Sequence, residues 1–317
     1  MQENPDECDK RVQIIPIFAR RRKNKSAMPK FINPFTDVGF KRIFGQEIHK
    51  ELLIDFLNSL FAGEKHICDI RFLDKEIQGA TIEDRNCIYD IYCTDESGEH
   101  FIVEMQNRQQ AFFRERAIYY LARAIARQGE RGSQWQFDLK AVYGIFFMNF
   151  CQENIEQKLR TDVWLEDHDT HTQFSDKLRF VFLQLPLFDK EESECENNFE
   201  RWIYVLKNME TLQRLPFKAR NAVFQKLEEI VDIASLSKED RMKYDESIKV
   251  YRDNLVTELY AVQKGIQQGI QQGIQQGIQQ GIQQNQKDVA RRMKDKGYAL
   301  EEIADMTGLP PETIRTL

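Results

Sequence analysis

Residues 87–106 read Cys87-Ile88-Tyr89-Asp90-Ile91-Tyr92-Cys93-Thr94-Asp95-Glu96-Ser97-Gly98-Glu99-His100-Phe101-Ile102-Val103-Glu104-Met105-Gln106. Strand-like apolar text on either side of Asp95-Glu96-Ser97-Gly98 predicts two strands, Cys87–Cys93 and His100–Gln106, joined as a β-hairpin of ordinary connection length. Side chains two apart on a strand share a face, so Glu104 and Gln106 project the same way. A tight hairpin brings Asp90 beside Glu104. Two carboxylates placed together in apolar surroundings are costly unless protonated, paired or bound to a cation. A hard divalent ion such as Mg²⁺ accepts carboxylate oxygens, a carbonyl and waters, and the carbonyl of Met105 is a candidate ligand beside Asp90 and Glu104. The same acidic pattern also suits the solvated face of an ordinary sheet, and the pattern alone leaves both readings open.

The flanking text supplies a frame for this hairpin. Asp37–Phe61 reads mainly as helix, with Ile48, Leu52, Phe56 and Leu60 four apart and Gly63 ending it. A further strand is expected near Ile67–Asp74. Arg114–Arg127 is a helix whose Ala117, Tyr120, Leu121, Ala124 and Ile125 share a face. Lys140–Phe150 has too few polar residues to face water, which makes it a central strand. Residues 176–187 add an apolar strand ending before Pro186, and 196–260 read as helical, with caps suggested at Pro216 and Ser237. The order helix, strand, strand, strand, helix, strand describes an α/β sandwich around a mixed sheet.

The chain of 317 residues carries 45 Lys and Arg against 51 Asp and Glu, a net charge of −6. That balance excludes a protein that coats nucleic acid through bulk positive charge, but it allows a local basic groove. Positive charge clusters at Arg20, Arg21, Arg22, Lys23 and Lys25, in an extension over residues 1–29 that also offers Met28 as an alternative start. The six cysteines match no zinc spacing, and His66, His100, His168 and His171 have no ligand-like neighbours. Free thiols in strand-like text suit a reducing, cytoplasmic setting. No segment reaches the roughly 18 apolar residues of a membrane span.

Beyond the short acidic motif, longer blocks stand in order: Phe35-Thr36-Asp37-Val38-Gly39-Phe40-Lys41-Arg42-Ile43-Phe44-Gly45, then Leu52 to Leu60, then Asp90, Ile102 to Gln106, and Phe113 to Tyr120. Together they resemble the PD-(D/E)XK nuclease superfamily, specifically its family of transposases and recombination-promoting nucleases. The resemblance implies a restriction-endonuclease-like core, a mixed central β-sheet flanked by helices, followed by a helical C-terminal region. It implies Asp90 as the motif Asp, Glu104 as the motif acid, and Gln106 where the superfamily usually carries Lys. The Gln form is typical of this family. Lys can position water or stabilise phosphate charge, whereas Gln offers only neutral donors and an acceptor. Asp37 and Lys41, one turn apart, are implied as accessory residues near the cleft; an i,i+4 surface pair is the bland alternative. Arg116 and Tyr120, also one turn apart, are candidates for nucleic-acid contact, with Tyr120 equally suited to the core.

The implied activity is Mg²⁺-dependent (or Mn²⁺-dependent) hydrolysis of DNA phosphodiesters, linked to recombination or transposition. The competing readings are a catalytically inactive nuclease-fold protein that binds nucleic acid, and a protein-interaction module. The domain reading is an extension over 1–29, a nuclease-like domain over 30–190, a helical region over 191–262, a repeat segment over 263–284 and a small helical module over 285–317.

In the repeat, Gly-Ile-Gln-Gln occurs five times from Gly265. A period of four on a helix of 3.6 residues per turn makes the Ile row drift by about 40° per unit, which is not a heptad seam. Each Gly costs up to about 1 kcal/mol relative to Ala. Helix here therefore calls for a partner, the same segment of a second subunit being the expected one; a flexible polar spacer is the rival. Leu300–Ala304 followed by Thr307-Gly308-Leu309 resembles part of a helix-turn-helix, although a small packing cap explains it as well.

Overall fold

The computed structural model describes residues 28–77, 87–129, 136–152, 155–217 and 221–317. The basic cluster Arg20–Lys25 lies outside the described residues. The chain forms two compact units, Met1–Tyr251 and Arg252–Leu317.

The first unit is built on a mixed six-stranded sheet. Its strands are β1 (Ile70–Phe72), β4 (Ile91–Asp95), β5 (His100–Gln106), β6 (Val142–Met148), β7 (Arg160–Glu166) and β8 (Gln173–Gln184), in the order β1-β4-β5-β6-β8-β7. A separate small ladder joins β2 (Glu76–Ile77) to β3 (Cys87–Ile88). Strands β5, β6 and β8 run parallel, while β1, β4 and β7 pair antiparallel at the flanks. The expected α/β class and central strand both hold: every residue of β6 is buried, as a parallel strand covered on both faces must be.

Strand alternation sends two sets of side chains to two cores. Ile102, Val142, Phe146, Met148, Phe180 and Phe182 meet α3 (Phe113–Arg127) through Phe113, Ala117, Leu121 and Ala124. Gly144 allows that helix to approach: a Cβ there would lie 2.5 Å from Leu121 Cδ1. On the other face Phe147 sits among Phe40, Phe44 and Phe56, with ring centroids 5.1 to 6.1 Å away. These belong to α1 (Asp37–Phe44) and α2 (Lys50–Leu60). Trp202 of α4 (Asn198–Asn208) and Phe224 of α5 (Ala222–Val231) extend the cluster.

Several expectations need correction. The helix expected over Asp37–Phe61 is two helices: Gly45 ends α1, and Ile48 is 74% exposed rather than part of the apolar stripe. The strand expected over Cys87–Cys93 breaks at Tyr89–Asp90, because the chain leaves one ladder there and enters another. Strand β7 was not expected. It is an edge strand with four consecutive exposed residues, so it carries no clean alternation. The apolar strand of 176–187 begins earlier, at Gln173; it ends before Pro186 as expected, at Gln184, where a 3₁₀ turn follows. Ser237 does cap, accepting from Asp240 N at 3.1 Å, but α5 is capped by Asn221 rather than announced by Pro216.

Helix α6 (Lys238–Asp295) crosses from the first unit into the second. The second unit closes on a small core of Ala290, Ile303 and Ile314, formed by the end of α6 with α7 (Leu300–Thr307) and α8 (Pro311–Thr316). Gly308, at φ +68°, makes the left-handed turn that ends α7. The repeat lies in α6, and its five isoleucines are 51–59% exposed. No helix among the described residues is long and apolar enough to cross a membrane.

Candidate active site

Strands β4 and β5 pair in register from Thr94↔His100 to Ile91↔Val103. One residue further, Asp90 would face Glu104 as a ladder pair. The side chains take over instead. Asp90 N donates to Glu104 Oε1 at 3.0 Å, and Met105 N donates to Asp90 Oδ2 at 3.0 Å. The two carboxylates thus stitch the diverging strand ends together through each other's backbones. Each commits one oxygen in this way and keeps a second for another partner. N–H and C=O of one strand residue leave the same strand edge, so the Met105 carbonyl is directed to the Asp90 side.

The pair is held in an environment that opposes its charge. Burial raises the pKa of both carboxyls, Glu104 to about 8, and the neighbouring Asp90 charge pushes Glu104 further in the same direction. Glu104 is only 4% exposed, yet it lies beyond the apolar contacts that Ile102 makes on the same strand face. Such a site favours protonation or a cation.

Gln106 follows Glu104 on the α3 side of the sheet and is also buried. Its Oε1 accepts from Arg116 Nη2 at 2.6 Å, and its Nε2 lies 3.5 Å from Glu104 Oε2. Arg116 comes from the first turns of α3. Tyr120, one turn on, packs partly into the core against Tyr89, whose hydroxyl donates to the Tyr120 carbonyl at 2.9 Å.

Asp37 and Lys41 form an i,i+4 ion pair at 2.5 Å on α1, which Thr36 caps by accepting from Gly39 N. The bland reading of this pair is therefore correct as far as it goes. Lys41 also lies within electrostatic reach of both Asp90 and Glu104, drawing each carboxyl pKa down against burial, and Asp37 opposes it at Asp90. The two residues line a cavity of about 300 Å³ with Ile32, Arg42, Lys243 and Tyr244.

The sequence reading missed Lys75. Its carbonyl accepts from Tyr89 N at 3.0 Å, which sets it across from the residue preceding Asp90. Burial lowers its pKa, the Lys41 charge lowers it further, and the charges of Asp90 and Asp37 oppose the fall. Lys75 stands in Leu73-Asp74-Lys75-Glu76, where no periodicity separates a half-buried lysine from a solvated one.

Among the described residues no group of three or more His, Cys, Asp or Glu side chains converges on one point. The available donors are two carboxylate oxygens and a main-chain carbonyl. That all-oxygen set fits a hard divalent cation that keeps several waters.

The first unit is thus an α/β protein with a mixed sheet flanked by helices, and it carries Asp90 at one strand end and Glu104-Met105-Gln106 on the next. The family model for the PD-(D/E)XK nuclease family transposase matches residues 34–259, and the chain belongs to that family. PD-(D/E)XK nucleases generally use divalent metals. No curated protein and no solved structure matches the chain.

Proposed function

We propose that the protein is a divalent-metal-dependent endonuclease that hydrolyses DNA phosphodiesters in the course of recombination or transposition. The observation that carries this reading is the pairing of half-buried Asp90 with buried Glu104, each carboxylate tied by one oxygen to the other residue's strand. Asp90, Glu104 and the Met105 carbonyl would hold Mg²⁺, with Mn²⁺ as a substitute. When bound, the ion lowers the pKa of water and neutralises developing phosphate charge.

The remaining work belongs to the chain. Glu104 and Asp90 orient each other, so neither must reorganise when substrate arrives. Gln106 presents its amide N–H groups toward the carboxylates, where a phosphate oxygen or the attacking water can accept from them. Lys41 and Lys75 supply positive charge near the site that Gln106 does not. The cavity beside Lys41, with Arg42 and Lys243 in its wall, suits the phosphate backbone next to the scissile group. Free Cys68, Cys93, Cys151 and Cys195 accord with a reducing cytoplasmic setting. The exposed isoleucine row accords with self-association through the repeat.

Plasmid cleavage with Mg²⁺ or Mn²⁺, beside a chelator control, tests the reading. Metal-dependent nicking or linearisation that disappears with chelator is the expected result. Intact plasmid with DNA still bound would sink the hydrolytic reading. It would leave a catalytically inactive nuclease-fold protein, the alternative that the uncharged Gln106 favours.

A further inference from the structure

Gln106 occupies the third motif position, yet an amide carries no charge. Its surroundings supply one. Arg116 directs Nη2 at Gln106 Oε1, 2.6 Å away, while its Nη1 donates to Gln110 Oε1. The guanidinium lies 5.8 Å from the Phe113 ring centroid and 5.9 Å from that of Tyr120, within cation–π range of both rings.

This arrangement selects one of the two orientations open to Gln106. An amide can exchange its oxygen and nitrogen by a half-turn, and its hydrogen-bond partners decide which is present. A guanidinium only donates. Gln106 Oε1 must therefore face Arg116, and Nε2 must face Glu104. The Nε2 distance of 3.5 Å to Glu104 Oε2 is too long for a strong hydrogen bond, so the amide protons stay largely uncommitted on the carboxylate side. A charge-assisted bond to the amide oxygen also draws electron density away from the nitrogen, which makes its N–H groups better donors.

We propose that Arg116 is a positioning residue of the active site: it holds Gln106 in the orientation that presents N–H donors to the reacting phosphate or its attacking water, and it polarises them. Arg116 and Gln106 together then do what one lysine would do at the third position. This assignment rests on the nuclease reading above. It differs from the phosphate contact expected of Arg116 from the sequence, because one N–H of each terminal nitrogen is already engaged by a side chain of the same chain.

The test compares the parent with Arg116→Ala, Arg116→Lys, Gln106→Lys and the Arg116→Ala, Gln106→Lys double variant in steady-state cleavage and in DNA binding across salt. Arg116 is half-exposed on a helix and Ala is a strong helix former, so the fold survives the change. Arg116→Ala should lower kcat by roughly 10- to 100-fold, with KM and the salt dependence of binding little changed. Gln106→Lys should lower kcat in the parent, where it sets an ammonium against the guanidinium, and raise it in the Arg116→Ala background. Arg116→Lys keeps a charge but loses the fork, and should fall between. A rise in KM at constant kcat for Arg116→Ala, or the same effect of Gln106→Lys in both backgrounds, would overturn the proposal. A second readout is independent of turnover. The side-chain amide signals of Gln106, assigned by their loss in Gln106→Ala, should shift and exchange faster with water in Arg116→Ala. Unchanged signals would overturn the positioning role. A parent that fails to cleave overturns only the nuclease reading, and the amide signals then decide the rest.

Discussion

The strand ends at Asp90 and Glu104 and the repeat helix beyond Gly265 break the usual partition of residues in opposite directions. At the first, a carboxylate and an amide are buried beside an apolar core, with Glu104 4% exposed and Asp90 half-buried next to it. At the second, five isoleucines stand 51–59% exposed among glutamines and glycines. Both are unfavourable for an isolated chain, and the structure meets them differently. The buried groups are tied by hydrogen bonds that run through the backbone of the neighbouring strand, so their positions are over-determined. The isoleucines make no such demand: nothing lies within 4 Å of a Cβ added at any of the five repeat glycines. The first region is held in one arrangement by its neighbours, and the second leaves open space along a regular surface.

The largest effect should come from removing either carboxylate of the pair. Asp90→Ala or Glu104→Ala should reduce metal-dependent cleavage to background while circular dichroism shows the fold intact. Equal cleavage by a well-folded variant and the parent would strike that residue from the site.

Gln106→Ala comes next, with turnover down roughly 10- to 100-fold and metal affinity nearly unchanged, since a neutral amide orients rather than binds. Calorimetry showing lost metal affinity, with normal turnover at saturating metal, would contradict this role.

Stability should move the other way. Burial raises the Glu104 carboxyl from 4.5 to about 8. Between those values the folded state holds a proton that the unfolded state has lost, so this group's contribution to stability is full below 4.5 and is lost as pH rises through 8. Glu104→Gln removes that loss and can keep the bond from Asp90 N. At pH 8 it should therefore be more stable than the parent, with the gap closing towards pH 5. Urea unfolding of both proteins at the two pH values measures it. A gap independent of pH would mean that the carboxylate is not the source. Mg²⁺ should raise the parent's melting temperature more than the variant's.

The smallest effect concerns the repeat. Replacing Gly269, Gly273 and Gly277 with Ala should strengthen the helical signal, each change being worth up to about 1 kcal/mol in helix propensity. The added methyls meet nothing within the chain. If a second copy approaches at the glycines, the same variant should lose mass by light scattering. A helical gain with unchanged mass would leave the spacer reading standing.

The hairpin around residues 87–106, the buried central strand β6 and helix α3 were legible because each rests on a local rule: a turn between alternating runs, a run without polar residues, and an apolar stripe at helical spacing. Asp90, Glu104 and Gln106 were legible for the same reason, since strand alternation puts two of them on one face and a short turn brings the third beside them. Other features depend on residues far apart in the chain. The break at Tyr89–Asp90 exists because two ladders compete for the same stretch. Lys75 joins the site because its carbonyl pairs with Tyr89, fourteen or so positions away, and nothing within its own neighbourhood marks it. The orientation of Gln106 follows from Arg116 on a different element, and the exposure of Ile48 from a helix that ends at Gly45 and restarts at Lys50. The sequence by itself determined which residues could carry the chemistry, because side-chain type and local period are written there. The tertiary structure alone decided which of them meet, because burial and hydrogen-bond partnership depend on neighbours that local patterns do not contain.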